Sequence, residues 1–138
     1  MNKILLGLDG SHNSFKALEE AISLARLYNA ELHTISIEEL PRFPETIDEI
    51  AEEKEVEDSK FEPIIQKARY IAATKKCEIK MHILVGQEVR TMVGFIKKYR
   101  FDLLVLGFMG HSSLYDRVMG STCQSVVRIA PCSVLVVK

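Results

Sequence analysis

The sequence predicts an α/β protein in which five parallel strands form one open, doubly wound sheet. Short apolar runs of strand length alternate with longer segments in which apolar residues recur with the period of a helix. Such an alternation favours parallel strands joined by crossover helices. The length, 138 residues, is that of one domain. We therefore expect a single domain over residues 1–138.

The spacing of apolar residues predicts where each helix and strand lies. Helical spacing is clear in the first helix, where Leu18, Ala21, Ile22 and Ala25 form one stripe, and either Ser11 or Asn13 can cap this helix. The strand at 78–85 alternates apolar and polar residues, which indicates a position near a sheet edge. Strands are predicted at 3–9, 31–37, 78–85, 102–106 and 131–137, and the later helices at 59–76, 87–99 and 123–129.

One segment departs from this pattern. Residues 39–58 contain Pro41 and Pro44, and residues 45–58 hold eight acidic side chains against one basic side chain, Lys54. We interpret this segment as a flexible acidic insertion that is mobile or weakly helical. The alternative is a lid or a partner-binding segment, because long insertions over a site are often functional.

Composition excludes several classes of protein. Lys and Arg number 18 and Asp and Glu 19, so the net charge of −1 offers no general attraction to nucleic acid or an anionic membrane. The first apolar segment is too short for a signal peptide, and no run reaches the length of a membrane span. The three cysteines include no C-x-x-C pair and predict neither disulfides nor a zinc site. We expect a cytoplasmic protein.

The main functional signal is a set of glycines around the fourth strand. Gly107 and Gly110 follow this strand, and Gly120-Ser121-Thr122 precedes the last helix. Glycine allows close approach of backbone N–H groups to a ligand, and the start of a helix favours an anion such as phosphate. No glycine is followed by lysine, which excludes a Walker A loop, and the compact dinucleotide fingerprint is also missing. The alternative is that these glycines serve only a tight connection.

Polar residues between these glycines offer further contacts. His111, Ser112 and Arg117 could bind phosphate, or the segment could be solvated with Arg117 paired to Asp116. His33 and His82 lie inside predicted strands and are interpreted as structural or surface residues. No nucleophile-and-base arrangement is brought together by this topology, so no catalytic residue is assigned.

The spacing Gly107-x2-Gly110-x9-Gly120-Ser121 resembles the ATP-binding signature of the universal stress protein family. The likeness extends over the chain, from Lys-Ile-Leu-Leu-Gly-Leu-Asp-Gly-Ser at the start to Ala-Pro-Cys-Ser-Val-Leu-Val-Val at the end. It implies a Rossmann-like fold of the adenine nucleotide alpha hydrolase type with strand order 3-2-1-4-5. It also implies a homodimer formed through the C-terminal strand, residues 132–137.

The resemblance implies a role for individual residues. Asp9 would lie near the adenosine, beside Gly10 and Ser11, and Ile37 would border the adenine. Gly107 and Gly110 would border the ribose and phosphates. Gly120, Ser121 and Thr122 would donate N–H or hydroxyl groups to the phosphates. A Mg²⁺ or Mn²⁺ ion would be held through the phosphates, with no cluster of protein ligands.

We therefore expect an ATP-binding stress-response regulator with little or no hydrolysis. Two features favour an alternative, a protein-interaction module of the same fold that binds no nucleotide. Glu88 stands where the family often has proline, and the bulky pair Phe108-Met109 lies between the first two glycines. A second alternative is a slow ATP hydrolase that uses Asp9 and a metal ion.

Overall fold

A computed structural model describes residues 1–39, 52–53, 60–109 and 119–138. The central strands β1 and β5 of its sheet are apolar on both faces, and helices cover the sheet. The strands are β1 (Lys3–Gly7), β2 (Glu31–Glu39), β3 (Glu52–Glu53), β4 (Ile79–Gly86), β5 (Leu103–Gly107) and β6 (Ser133–Val137). The helices are α1 (His12–Tyr28), α2 (Glu62–Thr74), α3 (Glu88–Tyr99) and α4 (Ser121–Ile129).

The sheet has the order β3-β4-β2-β1-β5-β6. All pairings among β4, β2, β1, β5 and β6 are parallel. Counted as the five strands expected from the sequence, their order is 3-2-1-4-5, so the predicted fold class is confirmed. The carboxyl ends of parallel strands share one edge of the sheet, which is where ligands bind in such folds.

The short strand β3 was not predicted. Glu52 and Glu53 pair antiparallel with Leu84 and Val85 of β4 and extend the sheet by one strand. The expectation of a mobile or weakly helical segment at 39–58 is therefore wrong at these two residues. Residues 40–51 and 54–59 lie outside the described part of the chain.

The central strand β1 divides the core into two layers. Ile4, Leu5 and Leu6 are all fully buried because successive side chains point to opposite faces of the sheet. Ile4 and Leu6 belong to the cluster that contains Leu18 of α1 and Ile65 of α2. Leu5 belongs to the second cluster, with residues of α3 and α4. Helices thus cover both faces, as a doubly wound sheet requires.

Helix α1 begins where the sequence predicted. The Ser11 side-chain oxygen accepts a hydrogen bond from the Ser14 N–H at 3.1 Å, so Ser11 is the N-cap. Asn29 ends the helix in the left-handed conformation with φ 52°. The Ser11 cap places the first turn of α1 directly above the carboxyl ends of β1 and β5.

Candidate functional site

A cavity of about 500 Å³ opens at the carboxyl edge of the sheet. This volume lies in the range of small-molecule sites. The ends of β1, β2 and β5 form its floor, and the first turns of α1, α2, α3 and α4 or the residues just before them form its walls. Its lining comprises Gly7, Leu8, Asp9, Ser11, Ser14, Ile35, Ile37, Glu39, Lys60, Phe61, Ile64, Glu88, Met92, Leu106, Gly107, Met109, Gly120, Ser121, Thr122 and Cys123.

The turn after β1 supplies Asp9 to the cavity and is held by local hydrogen bonds. The Ser11 N–H donates to Asp9 Oδ1 at 2.8 Å. Gly10 has φ 87°, a left-handed conformation that glycine adopts without strain. Gly10 is not among the lining residues, whereas Asp9 and Ser11 are. The main observed task of Gly10 is therefore to turn the chain so that Asp9 faces the cavity.

The first turn of α4 lies across the cavity from this turn. Helix α4 begins at Ser121 without a side-chain cap. By helix geometry the N–H groups of its first turn, from Ser121 to Cys123, have no acceptor within the helix. Together with the helix dipole they favour a negatively charged group at this end of the cavity.

Gly120 plays a different part from the one expected. Its N–H donates to the Phe108 carbonyl at 3.0 Å, so this amide is engaged within the protein. Its backbone angles, φ −59° and ψ 149°, are open to any residue. Gly120 lines the cavity.

Phe108 contacts the C-terminal residues Val137 and Lys138 and does not line the cavity. Its N–H donates to the Val137 carbonyl at 2.8 Å, and the Lys138 ammonium lies 5.3 Å from its ring centre. The described cavity lining contains Met109 but not Phe108. Of the bulky pair that favoured the alternative without nucleotide, only Met109 therefore lines the cavity.

Glu88 is the most unusual lining residue. Its side chain is half-buried in the first turn of α3, and its Oε2 accepts a hydrogen bond from the Thr122 hydroxyl at 3.2 Å. Burial raises the pKa of the Glu88 carboxyl above its usual range, and the neighbouring Glu39 and Asp9 carboxylates raise it further. The hydrogen bond from Thr122 opposes this shift. A carboxylate thus stands beside the start of α4.

The cavity brings together most of the site residues expected from the sequence. Asp9, Ser11, Ile37 and Gly107 line it, as does the segment from Gly120 to Thr122. The expected contacts from Gly110, His111, Ser112 and Arg117 lie outside the described residues. The part of the site that the structure describes therefore combines an apolar floor with a polar helix start.

Sequence reasoning did not name eleven of the lining residues. These are Gly7, Leu8, Ser14, Ile35, Glu39, Lys60, Phe61, Ile64, Met92, Leu106 and Cys123. Phe61, Ile64 and Met92 carry only the apolar periodicity of their helices, which predicts burial and not a cavity. Glu39 gave a better signal, since it lies at the carboxyl end of β2, beside Ile37.

The described residues include no group of three or more His, Cys, Asp or Glu side chains that could hold a metal ion. Cys123 lines the cavity, and burial raises the pKa of its thiol. This favours the uncharged thiol over the reactive thiolate.

His33 and His82 contact each other and do not line the cavity. His33 Nδ1 and His82 Nε2 are 2.9 Å apart, and their rings are stacked with an interplanar angle of 6°. Burial, with a smaller contribution from His82, lowers the pKa of His33 to about 4. The sequence left open whether these residues are structural or lie on the surface, and His33, which is only 8% exposed, is structural.

The fold and the cavity define an open α/β sheet protein with a cavity at its carboxyl edge. The family model described as Universal stress protein family matches residues 1–138. The universal stress protein YxiE of Bacillus subtilis is 32% identical over 99% of this chain and 99% of its own length. The chain therefore belongs to the universal stress protein family.

Solved structures share the fold. A universal stress protein in complex with cAMP superimposes with a TM-score of 0.74 at 24% identity, covering 99% of this chain and 97% of its own. A universal stress protein from Archaeoglobus fulgidus in complex with dAMP gives a TM-score of 0.70 at 21% identity, covering 100% and 98%. Among the described residues, no helix is long and apolar enough to cross a membrane.

Proposed function

We propose that the protein binds an adenine nucleotide, ATP, in the cavity at the carboxyl edge of the sheet and acts as a cytoplasmic stress-response regulator. The observation that carries this proposal is the pairing of an apolar floor with the uncapped start of α4 in one cavity of about 500 Å³. An adenine ring fits the apolar part, near Ile37, and phosphates fit the N–H groups of Ser121 and Thr122. Two relatives of the same fold have been solved with cAMP and dAMP bound.

The proposal includes weak or absent hydrolysis. Efficient phosphoryl transfer needs a cationic clamp and an acid that holds the metal ion, both placed at the transferred group. In the described lining Lys60 is the cation available for such a clamp. The candidate acid, Asp9, already accepts a hydrogen bond from the Ser11 N–H. The nucleotide-bound conformation, and not a reaction product, would then be the regulatory signal. Mg²⁺ or Mn²⁺ would accompany the phosphates of the bound nucleotide.

The proposal also includes a homodimer formed through residues 132–137. Strand β6 is the last strand of the sheet, so one of its backbone edges faces outward in the described chain. Leu135 of this strand is 36% exposed, and Ile129 just before it is 55% exposed. An edge strand with apolar side chains is suited to pair with a second copy.

Calorimetric titration of ATP into the Gly120→Val variant tests the nucleotide proposal. The backbone at Gly120 accepts any residue, so valine should leave the fold intact while its side chain fills the phosphate end. We expect ATP affinity to fall by at least about tenfold. Gly94→Val is the matched control, because a Cβ at Gly94 in α3 would meet no atom within 4 Å.

Unchanged ATP affinity in a folded Gly120→Val protein would falsify the phosphate site. Mass spectrometry of gently purified protein provides a second test, since co-purified adenine nucleotide is expected. Phosphate release that is rapid in the natural protein and lost in Asp9→Asn would contradict the proposal of weak hydrolysis.

A further inference from the structure

Glu88 places a carboxylate at the end of the cavity where the proposed phosphates lie. It accepts the hydrogen bond of Thr122 Oγ1 at 3.2 Å, and Thr122 belongs to the first turn of α4. The Glu88 N–H in turn donates to Glu39 Oε1 at 3.4 Å, which keeps a second carboxylate close. The hydroxyl of Thr122 is thus already committed to an anion of the protein itself.

The charges that line the described cavity are unbalanced. Asp9, Glu39 and Glu88 are acidic and Lys60 is basic, which gives a net charge of −2 for this part of the lining. The helix start at Ser121 attracts negative charge, whereas the carboxylates repel it. Charged groups a few ångströms apart in a partly dehydrated cavity interact more strongly than in bulk water. Each additional phosphate charge on a ligand is therefore opposed.

We propose that Glu88 sets the charge selectivity of this cavity, so that adenine ligands with few phosphate charges are favoured over metal-free ATP. The inference rests on the proposed nucleotide function and concerns the same site. A ligand such as adenosine can fill the apolar part while the Thr122–Glu88 hydrogen bond stays intact. A phosphate that reaches Thr122 must displace this bond and then lie beside a carboxylate.

Glu88 is well placed to discriminate because the hydrogen bond from Thr122 holds its carboxylate at the start of α4. Its side chain is half-buried, and its raised pKa reflects, after burial itself, the closeness of Glu39 and Asp9. Its position in the first turn of α3 is also favourable for a negative charge, because the helix dipole stabilises anions there. The carboxylate therefore stays in the cavity.

Calorimetry with three ligands tests this inference. Adenosine, AMP and ATP are titrated into the full chain and into Glu88→Gln, with EDTA in one series and Mg²⁺ in another. Glutamine keeps an oxygen that can accept from Thr122 while it removes the charge. In EDTA we expect Glu88→Gln to bind ATP about tenfold more tightly than the natural protein does, and AMP more tightly by a smaller factor. The affinity for adenosine should stay within about twofold of that of the natural protein. Mg²⁺ should reduce the gain for ATP, because the ion neutralises phosphate charge before it meets Glu88.

Glu62→Gln is the matched control. Glu62 is also the acid in the first turn of a helix, α2, but it is exposed and does not line the cavity. We expect its substitution to leave all three affinities unchanged. If Glu88→Gln does not fold, Glu88→Ala removes the same charge with a residue that favours helix.

The outcomes separate the inference from the proposed function. Equal changes for adenosine, AMP and ATP in Glu88→Gln would overturn charge selectivity and leave nucleotide binding in place. Failure of the natural protein and both variants to bind any of the three ligands would instead overturn the proposed function.

Discussion

Gly107 lies so close to Asn13 that no side chain fits between them. A Cβ added to Gly107 would lie 2.7 Å from the carbonyl carbon of Asn13 and 2.9 Å from its Cβ. The end of β5 is thus pressed against the first turn of α1. The spacing of the glycine motif predicted a position where backbone approaches a ligand. The structure reveals a second reason for glycine there, namely that the backbone approaches another element of the protein.

Gly107→Ala is expected to destabilise the fold by about 2–4 kcal/mol, because overpacking against rigid backbone forces β5 and α1 apart. Urea unfolding followed by circular dichroism measures the loss. Gly94→Ala is the control, since the exposed Gly94 position in α3 has open space and should gain up to about 1 kcal/mol in helix propensity. A Gly107→Ala protein as stable as the natural one would contradict the close approach.

Acidification should destabilise the protein through His33. Its pKa falls from 6.5 to about 4 on folding, so between these values the unfolded state binds more protons and stability rises with pH. We expect a contribution of roughly 2–3 kcal/mol that is fully present above pH 6.5 and is lost as the pH falls toward 4.

Urea unfolding between pH 4.5 and pH 8 of the natural protein and of His33→Asn measures this contribution. The variant should show a flatter profile in this window, because its amide does not titrate. Groups such as Asp102, whose pKa is lowered by the N–H groups of Asn2 and Lys3, act at more acidic pH and are common to both proteins. Identical profiles would mean that His33 does not titrate as described.

The edge strand β6 provides a test of the proposed dimer. Leu135→Asp puts a charge on the exposed apolar face of β6 and should shift a dimer to monomer, because burying an unpaired carboxylate costs several kcal/mol. Sedimentation velocity over a range of concentrations measures the change. Leu27→Asp is the control, since Leu27 in α1 is already 75% exposed. A dimer that persists in Leu135→Asp would place the interface elsewhere.

Most of the fold was predictable from local patterns. The apolar runs at β1 and β5 and the stripe of α1 are properties of neighbouring residues, and the period of apolar residues decides between strand and helix. The parallel arrangement of the strands followed from the alternation of elements, and their order followed from the family resemblance. Strand β3 was not predictable, because Glu52 and Glu53 have little strand propensity and are held by pairing with β4.

The sequence by itself determined the α/β class, the carboxyl-edge location of Asp9, Ile37 and Gly107, and the presence of a helix start just after Gly120, which the structure places at Ser121. Only the tertiary structure decided which side chains share the cavity. It brought Lys60 and Glu39 to the same space, tied the Gly120 N–H to Phe108, and set Glu88 against Thr122. The physical reason is that periodicity reports which face of an element is buried, whereas a cavity depends on the distances between elements far apart in the chain.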